Sequence, residues 1–209
     1  MKIVPSLICL PFLFQASLQA ATVVSVTGPD AAGYTLSSSI QTLGISWLQT
    51  SSYINVNIAA ELGAISGAGT GRAYLTTQVG SGTTTSSQVA TASFSFPTAT
   101  SPALTLFTTL TLAPGTYFLT IAATAGTVGV WEGTNSPTIS TDSGVTRLPD
   151  YYSSSPNTYA PASTFSSSST TNFKYNITGT AVPEPSSFIL AAAGFLLVFR
   201  NRRSSMQCK

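Results

Sequence analysis

Apolar and polar residues alternate with a period of two along much of this chain. In Tyr53-Ile54-Asn55-Val56-Asn57-Ile58, the apolar Ile54, Val56 and Ile58 are separated by Asn55 and Asn57. Successive side chains of an extended strand point to opposite faces, so the pattern predicts a sheet with one face buried. The same reading predicts strands over 21–27, 40–49, 53–61, 71–79, 88–96, 104–112, 116–124, 127–132 and 172–178. Phe173, Tyr175 and Ile177 are expected to share one face of the last. Gly28-Pro29-Asp30, Gly80-Ser81-Gly82, Pro97 and Ala113-Pro114-Gly115 supply the turns. The runs on either side of Pro114 read as a hairpin. Residues 133–169 are rich in Ser, Pro and Tyr and weakly periodic, which predicts a structured loop region with one or two short strands. About nine strands at close turn spacing predict an all-β fold, an antiparallel β-sandwich, with jelly-roll and immunoglobulin-like topologies equally compatible.

The two ends depart from this period. Lys2 precedes an apolar run from Ile3 to Phe14, and Gln15 to Ala20 is more polar and ends in small residues. Residues 1–20 therefore read as a signal peptide, an N-terminal signal helix cut after Ala20, with the Sec machinery and signal peptidase as partners. At the other end, Val182-Pro183-Glu184-Pro185-Ser186-Ser187 precedes the apolar stretch Phe188 to Phe199, followed by Arg200, Arg202 and Arg203. Pro183 and Pro185 separate the stretch from the last strand, and Ser186 or Ser187 caps its start. As a helix, 188–199 spans on the order of 18 Å at ~1.5 Å per residue. A bilayer core is about 30 Å thick, so a C-terminal single short transmembrane helix is a poor permanent anchor. The arginines hold their end in the cytoplasm and leave the body outside. The chain divides into 1–20, a β domain over 21–181, a sorting and anchor segment over 182–204, and a short tail over 205–209.

Composition changes the picture in two respects. Charged residues make up 7% of the chain, against about 25% in soluble proteins generally. The net charge of +2 comes from the ends, since Lys2, Arg200, Arg202, Arg203 and Lys209 all lie there. The body has Asp30, Glu61, Glu132, Asp142 and Asp150 against Arg72, Arg147 and Lys174. No basic stripe for a nucleic acid backbone exists, so no nucleic acid partner is expected. Cys9 and Cys208 also lie in the ends, so the body must fold without disulfides.

The order of breaker, short apolar helix and arginine cluster over Val182–Arg203 resembles the PEP-CTERM sorting signal of Gram-negative bacteria. The resemblance implies recognition by an exosortase, a membrane-embedded cysteine transpeptidase-like enzyme, with processing near Pro183-Glu184-Pro185. It implies that Val182, Pro183, Glu184, Pro185, Ser186, Arg200, Arg202 and Arg203 are substrate for that enzyme. It also implies attachment to the membrane until processing and delivery to the cell envelope, outer surface or extracellular polymer. The extension 204–209 is a departure from the pattern and leaves Cys208 without a role.

Catalytic chemistry finds little purchase in the body. The chain has no His, which removes the usual Ser-His-Asp and Cys-His arrangements. Without His or Cys, the body also lacks ordinary zinc ligands. No cofactor, metal or catalytic residue is expected. Calcium at Asp142 or Asp150 lacks the alternating carboxylate pattern of a dedicated loop. A glycoside-active enzyme would need two facing carboxylates, and the five acids are scattered. Gly67-Ala68-Gly69-Thr70-Gly71 precedes a strand, not a helix, and cradles no phosphate. The expectation is a non-enzymatic exported protein. The alternative is a carbohydrate- or exopolysaccharide-binding module using Trp131, Tyr151, Tyr152 and Tyr159 as stacking platforms, weighed against Trp131 and Trp47 as core residues. Tyr151 and Tyr152, adjacent in an extended segment, must face opposite ways.

Overall fold

The computed structural model describes residues 19–183 apart from 32, 67–68, 99–101 and 169. Over these the protein is all-β. Its strands are β1 (Ala21–Thr27), β2 (Tyr34–Ser37), β3 (Thr42–Gln49), β4 (Tyr53–Ser66), β5 (Thr70–Thr76), β6 (Gln88–Ser95), β7 (Ala103–Leu112), β8 (Gly115–Ala123), β9 (Val128–Trp131), β10 (Thr138–Thr141), β11 (Val145–Arg147), β12 (Asp150–Ser153), β13 (Ser166–Ser168) and β14 (Tyr175–Ala181). The only helical elements among the described residues are the single 3-10 turns Thr85–Ser87 and Ala160–Ala162. No helix among them is long and apolar enough to cross a membrane. The expected signal helix and the apolar stretch 188–199 lie outside the described residues. β1 begins at Ala21, directly after the expected cut.

Two seven-stranded sheets form, with every pairing antiparallel. The first runs β10-β1-β14-β4-β9-β2, with β7 on the other edge of β4. The second runs β13-β12-β3-β8-β5-β6, with β11 also on β3. The two sheets share one apolar cluster. Val24, Val56, Ile58, Leu62 and Ile177 enter it from the first sheet, and Leu43, Ile45, Trp47, Leu75, Leu119 and Ile121 from the second. These side chains sit at alternate positions of their strands, so period-two alternation accounts for the core directly.

The hairpin expected around Pro114 does not form. β7 pairs with β4 in one sheet, and β8 pairs with β3 and β5 in the other. The corner is closed by side chains instead of a ladder. Gln49, buried at the end of β3, donates from Nε2 to the carbonyls of Ala113 at 3.1 Å and Leu112 at 3.3 Å. The Tyr117 hydroxyl donates to Ala113 O at 2.8 Å. Gln49 Oε1 in turn accepts from Trp47 Nε1 at 3.0 Å. With these carbonyls satisfied, the chain can leave one sheet for the other without cross-strand bonds.

β4 is longer than its pattern predicts, because Glu61 interrupts the apolar run without ending the strand. At Glu61 the strand changes partners along one edge. β14 covers Tyr53 to Ala60 and β9 covers Leu62 to Ser66. The loop region 133–169 holds four short strands, β10 to β13, and β2 is an additional one.

Candidate functional site

The structure separates the four aromatic residues proposed as ligand platforms. Trp131 is fully buried, stacked on Phe173 with centroids 4.8 Å apart, and its Nε1 donates to Lys174 O at 3.0 Å. Tyr151 is buried in the outer layer of the second sheet, edge-on to Phe165 at 4.7 Å. Its hydroxyl donates to Leu119 O at 3.0 Å and accepts from Thr120 Oγ1 at 2.8 Å. Burial, as the main cause, pushes the phenol well above its ordinary pKa. Neither ring has a face for a sugar, which corrects the expectation for both. Tyr152 points the other way, as alternation requires, and is 40% exposed. Tyr159 is half-buried, edge-on to Tyr74 at 5.4 Å, with its hydroxyl 3.3 Å from Gln88 Oε1. Trp131 belongs to the first sheet and the tyrosines lie on the second, so no single platform assembles.

Charge is concentrated at two internal points. Where β4 changes partners, Lys174 is buried and its Nζ contacts both Asp30 and Glu61. Its backbone closes the junction: Lys174 N donates to Glu132 O at 2.8 Å, and Glu61 N to Lys174 O at 3.1 Å. Burial pulls the ammonium pKa down, but the hydrogen bonds to Asp30 and Glu61 outweigh it and leave the pKa raised. At the second point, Asp150 is fully buried. It accepts from Arg147 at 2.9 Å and from Phe173 N at 3.0 Å. Burial pushes its carboxyl up to about 6, against the opposing pull of Arg147 and the Phe173 N–H. Asp142 accepts from the Tyr53 hydroxyl at 3.0 Å and from Ser143 N at 2.7 Å. Burial, with Asp142 adding to it, pushes Tyr53 up to about 12. Asp142 and Asp150, the two carboxylates considered for calcium, are thus each held by protein donors. Among the described residues no group of three or more acidic side chains is gathered for a metal.

One cleft stands out, of about 320 Å³, on the outer face of the second sheet. Alternation along β5 puts Gly71, Ala73 and Leu75 on the core side and Arg72 and Tyr74 on the outer side. Arg72 pairs in register with Ala122 of β8, and Thr42 at the start of β3 completes the row. The segment 156–160 forms the opposite wall. That wall is tied down by Asn157 N donating to Ser163 Oγ at 2.8 Å and Gly80 N donating to Pro161 O at 2.8 Å. Arg72 had no assigned role in the sequence. Nothing in its local pattern distinguishes it from a solubilising surface cation.

Of the sorting residues, Val182 and Pro183 are exposed just beyond β14, and Val182 N donates to Ser52 O at 2.9 Å. Glu184, Pro185, Ser186, Arg200, Arg202 and Arg203 lie outside the described residues. Residues 181–203 match the PEP-CTERM protein-sorting motif. The match begins one residue before the segment picked out by its prolines and arginines. No curated protein matches the chain. The motif implies export, sorting to the envelope or surface of a Gram-negative bacterium, and processing by an exosortase-type membrane enzyme.

Proposed function

We propose that this chain is a non-enzymatic β-sandwich of jelly-roll or immunoglobulin-like topology, displayed at the cell surface or in the extracellular matrix. The Sec machinery exports it, signal peptidase removes residues 1–20, and the C-terminal helix holds it in the membrane until an exosortase processes it near Pro183-Glu184-Pro185. The observation that carries this reading is the sorting motif at 181–203 beginning at the last residue of β14. The body's final strand ends where the signal starts, and the chain leaves the sheet at an exposed position. A cut beyond Val182 therefore removes no strand.

A non-enzymatic role is supported by the commitments of the acids. Asp30 and Glu61 share one lysine, Asp150 holds Arg147, and Asp142 holds Tyr53. Among the described residues no carboxylate lines the cleft, and glycoside hydrolysis would need two. Association with an extracellular polysaccharide is a second reading, favoured by a polar surface cleft on a charge-poor body.

Fractionation of the host, with and without its exosortase, tests the first reading. Normal cells should carry a body lacking residues beyond the processing point at the surface or in the medium. Cells without the enzyme should retain the intact tail in the inner membrane. An intact tail on the mature protein of normal cells would refute the processing step.

A further inference from the structure

The body's three cations are not equivalent. Arg147 is bonded to Asp150, and Lys174 to Asp30 and Glu61. Arg72 alone among them has neither an ion pair nor a hydrogen bond among the described residues, and it lines the cleft on the outer face of the second sheet. Among the described residues, no other charged side chain lines that cleft. A concave wall of lowered dielectric strengthens the attraction of such a group for an anion.

The groups around Arg72 restrict which anion fits. The Tyr74 hydroxyl makes no hydrogen bond among the described residues, and Ser38 brings a second hydroxyl. Asn157 Oδ1 accepts from Tyr159 N at 3.1 Å. That bond fixes the amide and leaves the Asn157 Nδ2 protons for a ligand. Thr42 also lines the cleft, wholly buried, and its Oγ1 has no partner among the described residues. Ala122 and Pro156 supply small apolar surface between these groups. A guanidinium binds a planar carboxylate through two parallel bonds. The remaining donors and apolar patches suit a ring carrying hydroxyls on one side and C–H groups on the other. The volume is at the lower end of the range for ligand pockets, roughly 300–1,000 Å³, which suits one ring and not a stacked oligomer.

We propose that this cleft binds a carboxylate-bearing sugar, a uronic acid residue, with Arg72 holding the carboxylate and Tyr74, Asn157 and Ser38 the ring hydroxyls. The proposal rests on the surface-display reading only for where such a sugar is met. It makes the body a reader of acidic polysaccharide one residue at a time.

Titration of the mature protein recovered from its host tests it, with glucuronate, its neutral methyl ester, glucose and inorganic sulfate as probes. Glucuronate should bind saturably at concentrations up to about 20 mM. The methyl ester and glucose should bind about tenfold more weakly or worse, because the charge-assisted pair is lost. Arg72→Ala should lose the glucuronate signal with an unchanged unfolding transition, since the Arg72 side chain is exposed and bonded to no described residue. Arg72→Lys should restore only part of it. Absence of glucuronate binding, equal binding of glucose, or full binding by Arg72→Ala would each overturn the proposal. Sulfate bound as tightly as glucuronate would also overturn it, leaving a general anion site. None of these results bears on tail processing, which the fractionation tests separately.

Discussion

Asp150 should make this protein more stable in mild acid than at neutrality, the reverse of ordinary acid denaturation. Its carboxyl is fully buried and held at about 6 instead of 3.8, because burial outweighs Arg147 and the Phe173 N–H. Between these two values the folded protein keeps a proton on Asp150 that the unfolded chain has released. The folded state then binds more protons, so stability falls as pH rises. The contribution is fully present below about pH 4 and lost once pH has passed about 6. At ~1.4 kcal/mol per pH unit, the difference amounts to roughly 3 kcal/mol. The chain has no His, so no imidazole titration overlaps this window. Urea unfolding of the mature protein, followed by Trp47 and Trp131 fluorescence at pH steps from 4 to 8, measures the slope. Asp150→Asn should flatten it, on top of a constant loss from turning an amide NH₂ towards one of the donors that Asp150 now accepts from. Stability that is level or rising from pH 4.5 to 6.5, or an equal slope in Asp150→Asn, would refute the reasoning.

Three substitutions test other parts of the structure. A Cβ on Gly44 would lie 2.1 Å from Tyr151 Cζ, so Gly44→Ala should displace the ring, break its bonds to Leu119 and Thr120, and cost at least the ~1–3 kcal/mol of an overpacked site, read by denaturant midpoint. Trp131→Ala should cost about 3–5 kcal/mol as a core truncation; a variant of unchanged melting temperature would contradict its burial. Gln49→Leu should leave the buried Trp47 indole N–H and Leu112 carbonyl without their side-chain partner, at about 1–3 kcal/mol for each buried group left unsatisfied, while Ala113 keeps its bond from Tyr117. Hydrogen exchange should show that loss at the corner between β7 and β8 first.

Much of the strand layout is legible because alternation is a local signal. β1 falls on 21–27 as read, and β3, β6, β7 and β8 begin and end within about two residues of the apolar pattern. Partners are not local. The same Ala-Pro-Gly corner serves a hairpin or a passage between sheets, and what decides it is the side chain of Gln49, 64 residues from Ala113 in sequence. β10 and β13 carry no apolar pattern, being Thr-Ile-Ser-Thr and Ser-Ser-Ser. They are strands because β1 and β12 offer them ladders. Glu61 looks like a strand end because a charge seldom sits inside one, and only Lys174, over a hundred residues later, explains it. The sorting motif is legible for the opposite reason, since every feature lies within one short segment. Arg72 falls between these cases: its side chain has no ion pair or hydrogen bond among the described residues, which no residue pattern records.

The place of β14 in the first sheet sets the timing of folding. It pairs with β1 on one side and β4 on the other, so the first and last strands of the body meet only when synthesis and translocation have delivered residue 181. A chain that crosses a membrane N-terminus first therefore cannot close this sheet while most of it is already outside. β1 must wait, with only β10 as an earlier neighbour. On the export route proposed above, the segment that halts transfer would follow β14 within a few residues. On that route, the step that stops translocation would also supply the missing strand, and the body would stay threadable until then.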